Sequence, residues 1–457
     1  LLDSGHAAIS ARVAAIDEAI KAAKTAAEKN DYVAAGTALD QALSLIADAN
    51  QHKAAAVALK SRLDLLAPKV TGLTAANPRN TAPHIGADLA LLDTELAGIQ
   101  LALDTAPVDL PAITARLDAA TAKQALLAAK KNMKTAGTDP AELKSCLQSL
   151  CEQPDGLKQL DDLVATLSDP GDAELIKLAM AVRFKLEEVK TEGELDTSVL
   201  KRIHALMADV PAKHTRDNPA LKKVMRKASG GSAYGSGQIT LGDSVSSITS
   251  ERALAVGTEL PNIDPACQPA PDVPPPMFFD WNTQHEIAHA LDDKKSFMAT
   301  REGVAEFGGW TRHSGDVLSV AAAVVNALGT PAGLDAKMIA SYIDRKQEPA
   351  TPPACWATVK TWADGVLSGN NPWKNGARCA QSIDAGGFIV GTRIYHEAYA
   401  KDWVSYEAAA RAKGITGYQF RAPGEWFSEL YAAYKSKVLK SGHPSEAWLK
   451  KLFPTAT

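Results

Sequence analysis

Long apolar runs are missing from this 457-residue chain. No stretch approaches the roughly 20 residues that cross a bilayer. The nearest, "VLSVAAAVVNALG" (317–329), fits a buried helix better. No sign of charge dominates either: 49 basic against 53 acidic residues leave a formal charge of −4. That balance gives no general reason to expect nucleic acid or an acidic membrane surface as partner. The most basic stretch, "KHTRDNPALKKVMRKAS" (213–229), reads as a solvated helix face beside a loop. Cysteines are few and odd in number (five), which is not a closed disulfide framework. Cys355 and Cys379 flank a loop containing Trp and Gly and are the pair to consider outside a reducing cytosol. The bland expectation for all five is a buried free thiol. The opening "LLDSGHAAIS" has no charged n-region, apolar core or initiator Met. Residue 1 is therefore read as lying inside a longer gene product, with any signal or delivery module upstream.

Aromatic residues are almost absent from the first half. Before residue 210 only Tyr32 and Phe184 occur, whereas all eight tryptophans lie after residue 280. Such a shift argues for separate domains with differently built cores, and 457 residues suffice for two or three. Three regions are expected: a helical hairpin or three-helix unit over 1–75, a second helical region over 85–209, and a third domain over 211–457. In the first, apolar residues recur at three- and four-residue steps between Lys, Asp and Glu. Asn30-Asp31 marks a turn and cap between two helices, with a third helix after them. "ALLDTELAGIQLALDTAPVDLPAITARLDAAT" is a fainter copy of "AAIDEAIKAAKTAAEKNDYVAAGTALDQAL", a period of roughly 75 residues that suggests repeated hairpins. Nothing in these alanine-rich helices carries chemistry. They suit a spacer, a partner-binding surface or a delivery region.

The second half is punctuated differently. A Gly/Ser stretch, "SGGSAYGSG" (229–237), precedes a short strand signal, "QITL" (238–241), the expected edge for aligning an extended peptide or an ordinary structural strand. Seven prolines crowd 261–276 and require an irregular loop. That loop leads into "MFFDWNTQHEIAHALDD". On a helix, residues four apart share a face, so His285 and His289 can point at one ion. Glu286, one position round, reaches a water beside that ion rather than the ion itself. Phe278, Phe279, Trp281, Ile287 and Leu291 supply apolar cover.

A catalytic zinc needs three protein ligands and an open position. The metzincin pattern would put Gly and His at 292 and 295, but Asp292 and Lys295 stand there. The third ligand must come from Glu302, Glu306, His396, Glu425 or Glu429. "APGEWFSELYAAYKSKVL" reads as a helix after Pro423-Gly424, with Glu425 and Glu429 on one face. One carboxylate of that pair can bind zinc while the other holds a ligand histidine. His313 reads as a structural histidine.

Two segments, "HEIAHALDD" and "YQFRAPGEWFSELYAAY", resemble the anthrax-lethal-factor-like zinc metallopeptidases, gluzincins found as C-terminal domains of bacterial toxins. The resemblance covers some thirty residues. It implies zinc (Zn2+) held by His285, His289 and Glu425, with Glu286 as general base, Tyr418 as catalytic tyrosine, and Glu429 as the carboxylate behind a ligand histidine. The N-terminal Ala-rich helical hairpin repeats, read from periodicity, make the chain mainly α, and the resemblance implies that an α+β zincin-type domain with a small sheet follows them. The 136 positions from His289 to Glu425 exceed the family's spacing, so a helical subdomain is expected as an insertion at about 296–400. The implied function is a zinc endopeptidase acting as a secreted or injected effector. Its partners would be a protein or peptide substrate and a delivery or immunity protein, with no nucleic acid and no membrane span. The alternatives are a helical-repeat interaction protein with a binding-only peptidase-like domain, a metal-dependent amidase of cell-wall peptides, and a cytoplasmic location.

Overall fold

The structure is a computed structural model that describes residues 4–75, 83–105, 107–134, 139–167, 172–193, 197–242, 264–265, 267, 273–313, 317–367, 389–397 and 402–453. The chain is mainly helical with two small sheets, and it divides into two compact units, Leu1–Leu167 and Ser168–Thr457.

The first unit contains α1 (Ser4–Glu28), α2 (Tyr32–Ala75), α3 (Pro83–Asp104), α4 (Leu110–Lys134), α5 (Pro140–Cys151) and α6 (Gly156–Thr166). Both copies of the repeat form hairpins, α1–α2 and α3–α4. The second helix of each is capped alike: Asp31 Oδ1 accepts the Ala34 N–H and Asp109 Oδ1 the Ala112 N–H, both at 3.0 Å. Asn30 takes the left-handed conformation (φ 62°) that the turn requires. The expected third helix is not separate. α2 continues for 44 residues through Pro68, because the leucines after Ala56 find a core to bury in. Along α2 the buried residues Ala35, Ala42, Ala49 and Ala56 recur every seven positions, and from Leu59 onward larger side chains join α3 and α4 around Leu92, Ile99 and Leu117.

The second unit begins earlier than the sequence reading placed it. α7 (Ala173–Phe184), β1 (Glu188–Thr191) and α8 (Thr197–Ala208) belong to it rather than to the helical half. Long-range pairing that no local pattern reveals is the reason. β1 lies parallel to β2 (Lys223–Arg226), and Arg202 of α8 forms an ion pair with Asp280 of α9 (Phe278–Lys295). The first sheet has the order β1-β2-β4-β3, with β4 (Gln238–Leu241) parallel to β2 and β3 (Ala233–Gly235) antiparallel to β4. The strand "QITL" is therefore interior, and the edges among the described strands are β1 and β3. The Tyr234 hydroxyl of β3 lies between Asp293 Oδ2 (2.6 Å) and the Ala220 carbonyl (2.9 Å).

The second sheet is antiparallel, in the order β5 (Thr311–Arg312), β8 (Trp403–Glu407), β7 (Arg393–Glu397), β6 (Ile389–Val390). Helices α10 (Val317–Ala327), α11 (Ala336–Arg345) and α12 (Trp356–Leu367) pack around Val324, Trp356 and Trp362, and their core includes Tyr395 of β7 and Trp403 of β8. The stretch at 296–400 is thus a helical cluster with strands of its own. Cys146, Cys267 and Cys355 are free thiols. Cys379 and Trp373 fall outside the described residues. The chain ends in α13 (Pro423–Lys435) and α14 (Glu446–Leu452). Among the described residues, no helix is long and apolar enough to cross a membrane.

His214 backs α13: its Nδ1 lies 2.7 Å from the Tyr431 hydroxyl. Burial, with Lys295 nearby, pushes its imidazole down to about 4. The unfolded chain binds a proton near pH 6.5, where the folded chain does not. Stability contributed by neutral His214 is therefore intact above about pH 6.5 and lost as pH falls towards 4, by up to roughly 3 kcal/mol. Urea unfolding across that range should show this slope, and His214→Gln should flatten it. An unchanged slope in the variant would remove His214 as its source.

Candidate metal centre

The two helices that build the centre start for local reasons. α9 follows the proline run: Met277 is extended, and Asp280 occupies the positive first turn. It ends with Lys294 and Lys295 in its last turn and Ser296 left-handed (φ 46°). Its buried residues go all round the helix, from Phe279 and Trp281 to Ile287 and Leu291, so the helix is enclosed rather than one-sided. α13 opens with Pro423 at its first turn, which suits a residue without an N–H. Gly424 sits at the crossing of the two helices, where an added Cβ would make ordinary contacts. A Cβ there would stand 3.4 Å from His289 Nδ1 and 3.5 Å from Asp292 Oδ2.

At this crossing His285 Nε2 lies 2.8 Å from Glu425 Oε2, His289 Nε2 lies 3.2 Å from the same oxygen, and the two Nε2 atoms are 3.1 Å apart. A tetrahedral ion with bonds of about 2.0–2.1 Å holds its ligand atoms about 3.3 Å from one another. The three donor atoms already have that spacing, and two imidazoles with one carboxylate are a donor set that zinc accepts.

Glu429, one turn beyond Glu425, serves the other side of His285. Its Oε1 is 2.9 Å from His285 Nδ1 and accepts the Trp281 indole N–H at 3.0 Å, while its Oε2 accepts the Thr416 hydroxyl. A carboxylate at Nδ1 fixes the ring and turns Nε2 towards the shared point. Burial alone would lower the His285 pKa, but hydrogen bonds to Glu425 and Glu429 outweigh it and hold the imidazole up at about 10. For Glu425, burial works upward, yet the two histidines hold the carboxyl well below the usual range. Glu286 is 4 % exposed; burial pushes its carboxyl up, and its Oε2 meets no hydrogen-bond partner among the described residues. Tyr418 is partly exposed; its hydroxyl is 3.5 Å from Glu425 Oε1 and its ring centroid 5.9 Å from that of His285.

The five residues anticipated at the centre, with Glu429, thus come from α9, α13 and the turn before α13. The other third-ligand candidates do not join them. Glu302 accepts the Arg312 N–H at 2.8 Å and Glu306 is exposed. His396 belongs to β7. His313 Nε2 lies 2.9 Å from Ser405 Oγ, as a structural histidine would. Three contributors were not anticipated in these roles. Trp281 was read only as apolar cover, although it precedes His285 by four positions and shares its face. Thr416 and Gly424 carry no signal of their own.

One equivalent of zinc per chain is the expected stoichiometry, measured by metal analysis after dialysis. His285→Ala and Glu425→Ala should abolish it. Glu429→Gln should weaken affinity by about 10–100-fold. Full retention of zinc by Glu425→Ala would overturn its place as ligand. No protein-family model matches the chain, and neither the curated proteins nor the solved structures contain a significant match to it.

Proposed function

We propose that the second unit is a zinc-dependent endopeptidase of the gluzincin type, with a zincin-like pairing of helices and sheet. The observation that carries the reading is the convergence of His285 Nε2, His289 Nε2 and Glu425 Oε2 to within 3.2 Å of one another. When bound, zinc would acidify a water and polarise a peptide carbonyl. The remaining work falls to the chain. Glu286, buried and with an unpartnered oxygen, takes a proton from the water as its oxygen bonds to the carbonyl carbon. Burial raises the Glu286 pKa, which favours its taking and holding that proton until the C–N bond breaks and the departing amine receives it. The Tyr418 hydroxyl makes a long 3.5 Å contact with Glu425 Oε1, a partner it can exchange for the oxyanion. Glu429 orients His285 throughout.

Burying a carboxylate with no hydrogen-bond partner on one oxygen, as at Glu286 among the described residues, costs stability, and such a cost is typical of a group kept for chemistry. That cost favours a working centre over the alternative of a binding-only domain. The resemblance to toxin domains extends the proposal to a secreted or injected effector. Its substrate would be a protein or peptide, and its partner a delivery or immunity protein. A cell-wall amidase would use the same residues, so the substrate separates the two readings.

Replacing Glu286 by Gln should lower peptide cleavage by about 100- to 10,000-fold while zinc stays bound. Newly exposed protein N-termini in target cells, compared between active protein and Glu286→Gln, identify the substrate. Equal cleavage by both proteins would end the peptidase reading.

A further inference from the structure

The alanine-rich hairpin α1–α2 is packed inside out. The buried residues of its seam are alanines, Ala19 and Ala23 from α1 with Ala35, Ala42 and Ala49 from α2, and Ile16 and Leu45 are only partly buried. Larger aliphatic side chains stand outside: Val13, Ile20, Leu39, Leu43 and Ile46 are 38–63 % exposed. Further along α2 the order is the usual one, with Leu59, Leu63, Leu66 and Val70 buried. Single exposed aliphatics are ordinary on a protein surface. An inverted helix pair is not, because helices gain stability by burying their larger apolar side chains.

The five exposed residues share one face. On α1, Ile20 follows the seam residue Ile16 by four positions; on α2, Leu39 follows Ala35 and Ile46 follows Ala42 by four. Val13 comes one heptad before Ile20, and Leu43 four positions after Leu39. Four positions turn about 40° past the seam in each helix. Because α1 and α2 run antiparallel, the same turn in both brings the two stripes to one side of the hairpin. Asp48, one position before the seam residue Ala49, turns the other way, and there its Oδ2 lies 2.7 Å from Arg12 Nε. One side is polar and the other apolar.

We infer that the apolar side is the interface of a two-fold dimer, in which the hairpin of a second copy of this chain completes an antiparallel four-helix bundle. With the 25 residues of α1 setting the length, two helices side by side present roughly 700 Å², close to the ~800 Å² per partner in a stable dimer. Charge selects a second copy as the occupant. Lys21, 4.0 Å from Glu18 of its own helix, and Asp40 are exposed, each five positions after a seam residue, on the outer edges of the pair. Lys21 is nine positions after Arg12, and Leu39 nine before Asp48, so Lys21 and Asp40 stand at nearly the same height. A two-fold axis along the helices lays α1 of one copy over α2 of the other at matching heights. Lys21 then meets the partner's Asp40 on both rims, as a self-complementary interface requires. The inference goes beyond the proposed endopeptidase and holds whether or not the second unit cleaves peptides.

Sedimentation equilibrium of the full chain is the test, and a dimer at micromolar concentration is the expected result. Leu43→Glu should raise its dissociation constant by about 30-fold or more. Lys21→Glu and Asp40→Lys should each weaken the dimer a few-fold, and the double variant, with opposite charges again paired across the rims, should recover it. All three residues are exposed, and circular dichroism checks that the helices persist. Should Leu43→Glu lose helix, the charge variants decide alone. A chain that stays monomeric would overturn the inference and leave the face to an unrelated helical protein. A dimer of unchanged strength in a folded Leu43→Glu places the contact elsewhere and overturns it as well. So does a double variant as weak as its parents together.

Discussion

Glu429, 1 % exposed, is engaged from three directions at once: the Trp281 indole and His285 Nδ1 on α9, and the Thr416 hydroxyl just before α13. A charged acceptor withdrawn from water persists only when its lone pairs are filled, and here the filling groups come from separate elements. Removing Trp281 or Thr416 would leave part of that carboxylate unpaired without touching a ligand atom. The orientation of His285, and through it the meeting point with His289 and Glu425, therefore depends on one side chain that binds no ion itself.

The same dependence explains why α9 is enclosed on all sides. Three carboxylates, Glu286, Glu425 and Glu429, share a dry space with two imidazoles. In water such groups would be screened and mobile. Buried, they hold their positions because each shift would strand a charge. In the proposed reading a divalent cation supplies the compensating charge. Without it, protons on His285 must do so, as its raised pKa indicates.

How much of this was legible in the chain depended on the range of the interaction. The His285–Glu286–His289 arrangement follows from helical spacing alone, and the Glu425/Glu429 pair from the same rule on a second helix. Capping by Asp31 was local and readable too. The position of β4 was not, because a four-residue strand does not announce its neighbours; only the pairing of β3 across Gly237 makes β3 an edge. The third helix expected after the first hairpin is instead the continuation of α2, because tertiary burial of Leu59, Leu63 and Val70 carries the helix on through Pro68. The early start of the second unit depends on β1 pairing with β2, more than thirty residues away.

Asp293 then joins two parts that the sequence left unrelated. Its carboxylate receives the Tyr234 hydroxyl from the edge strand β3, and it belongs to α9 just beyond His289. Among the described residues no strand pairs with the outer side of β3, and an open strand edge is a template for another extended chain. A peptide lying along β3 would pass close to Asp293 and to the last turns of α9. The edge strand and the last turns of the helix that carries His285 and His289 are thus tied by one hydrogen bond.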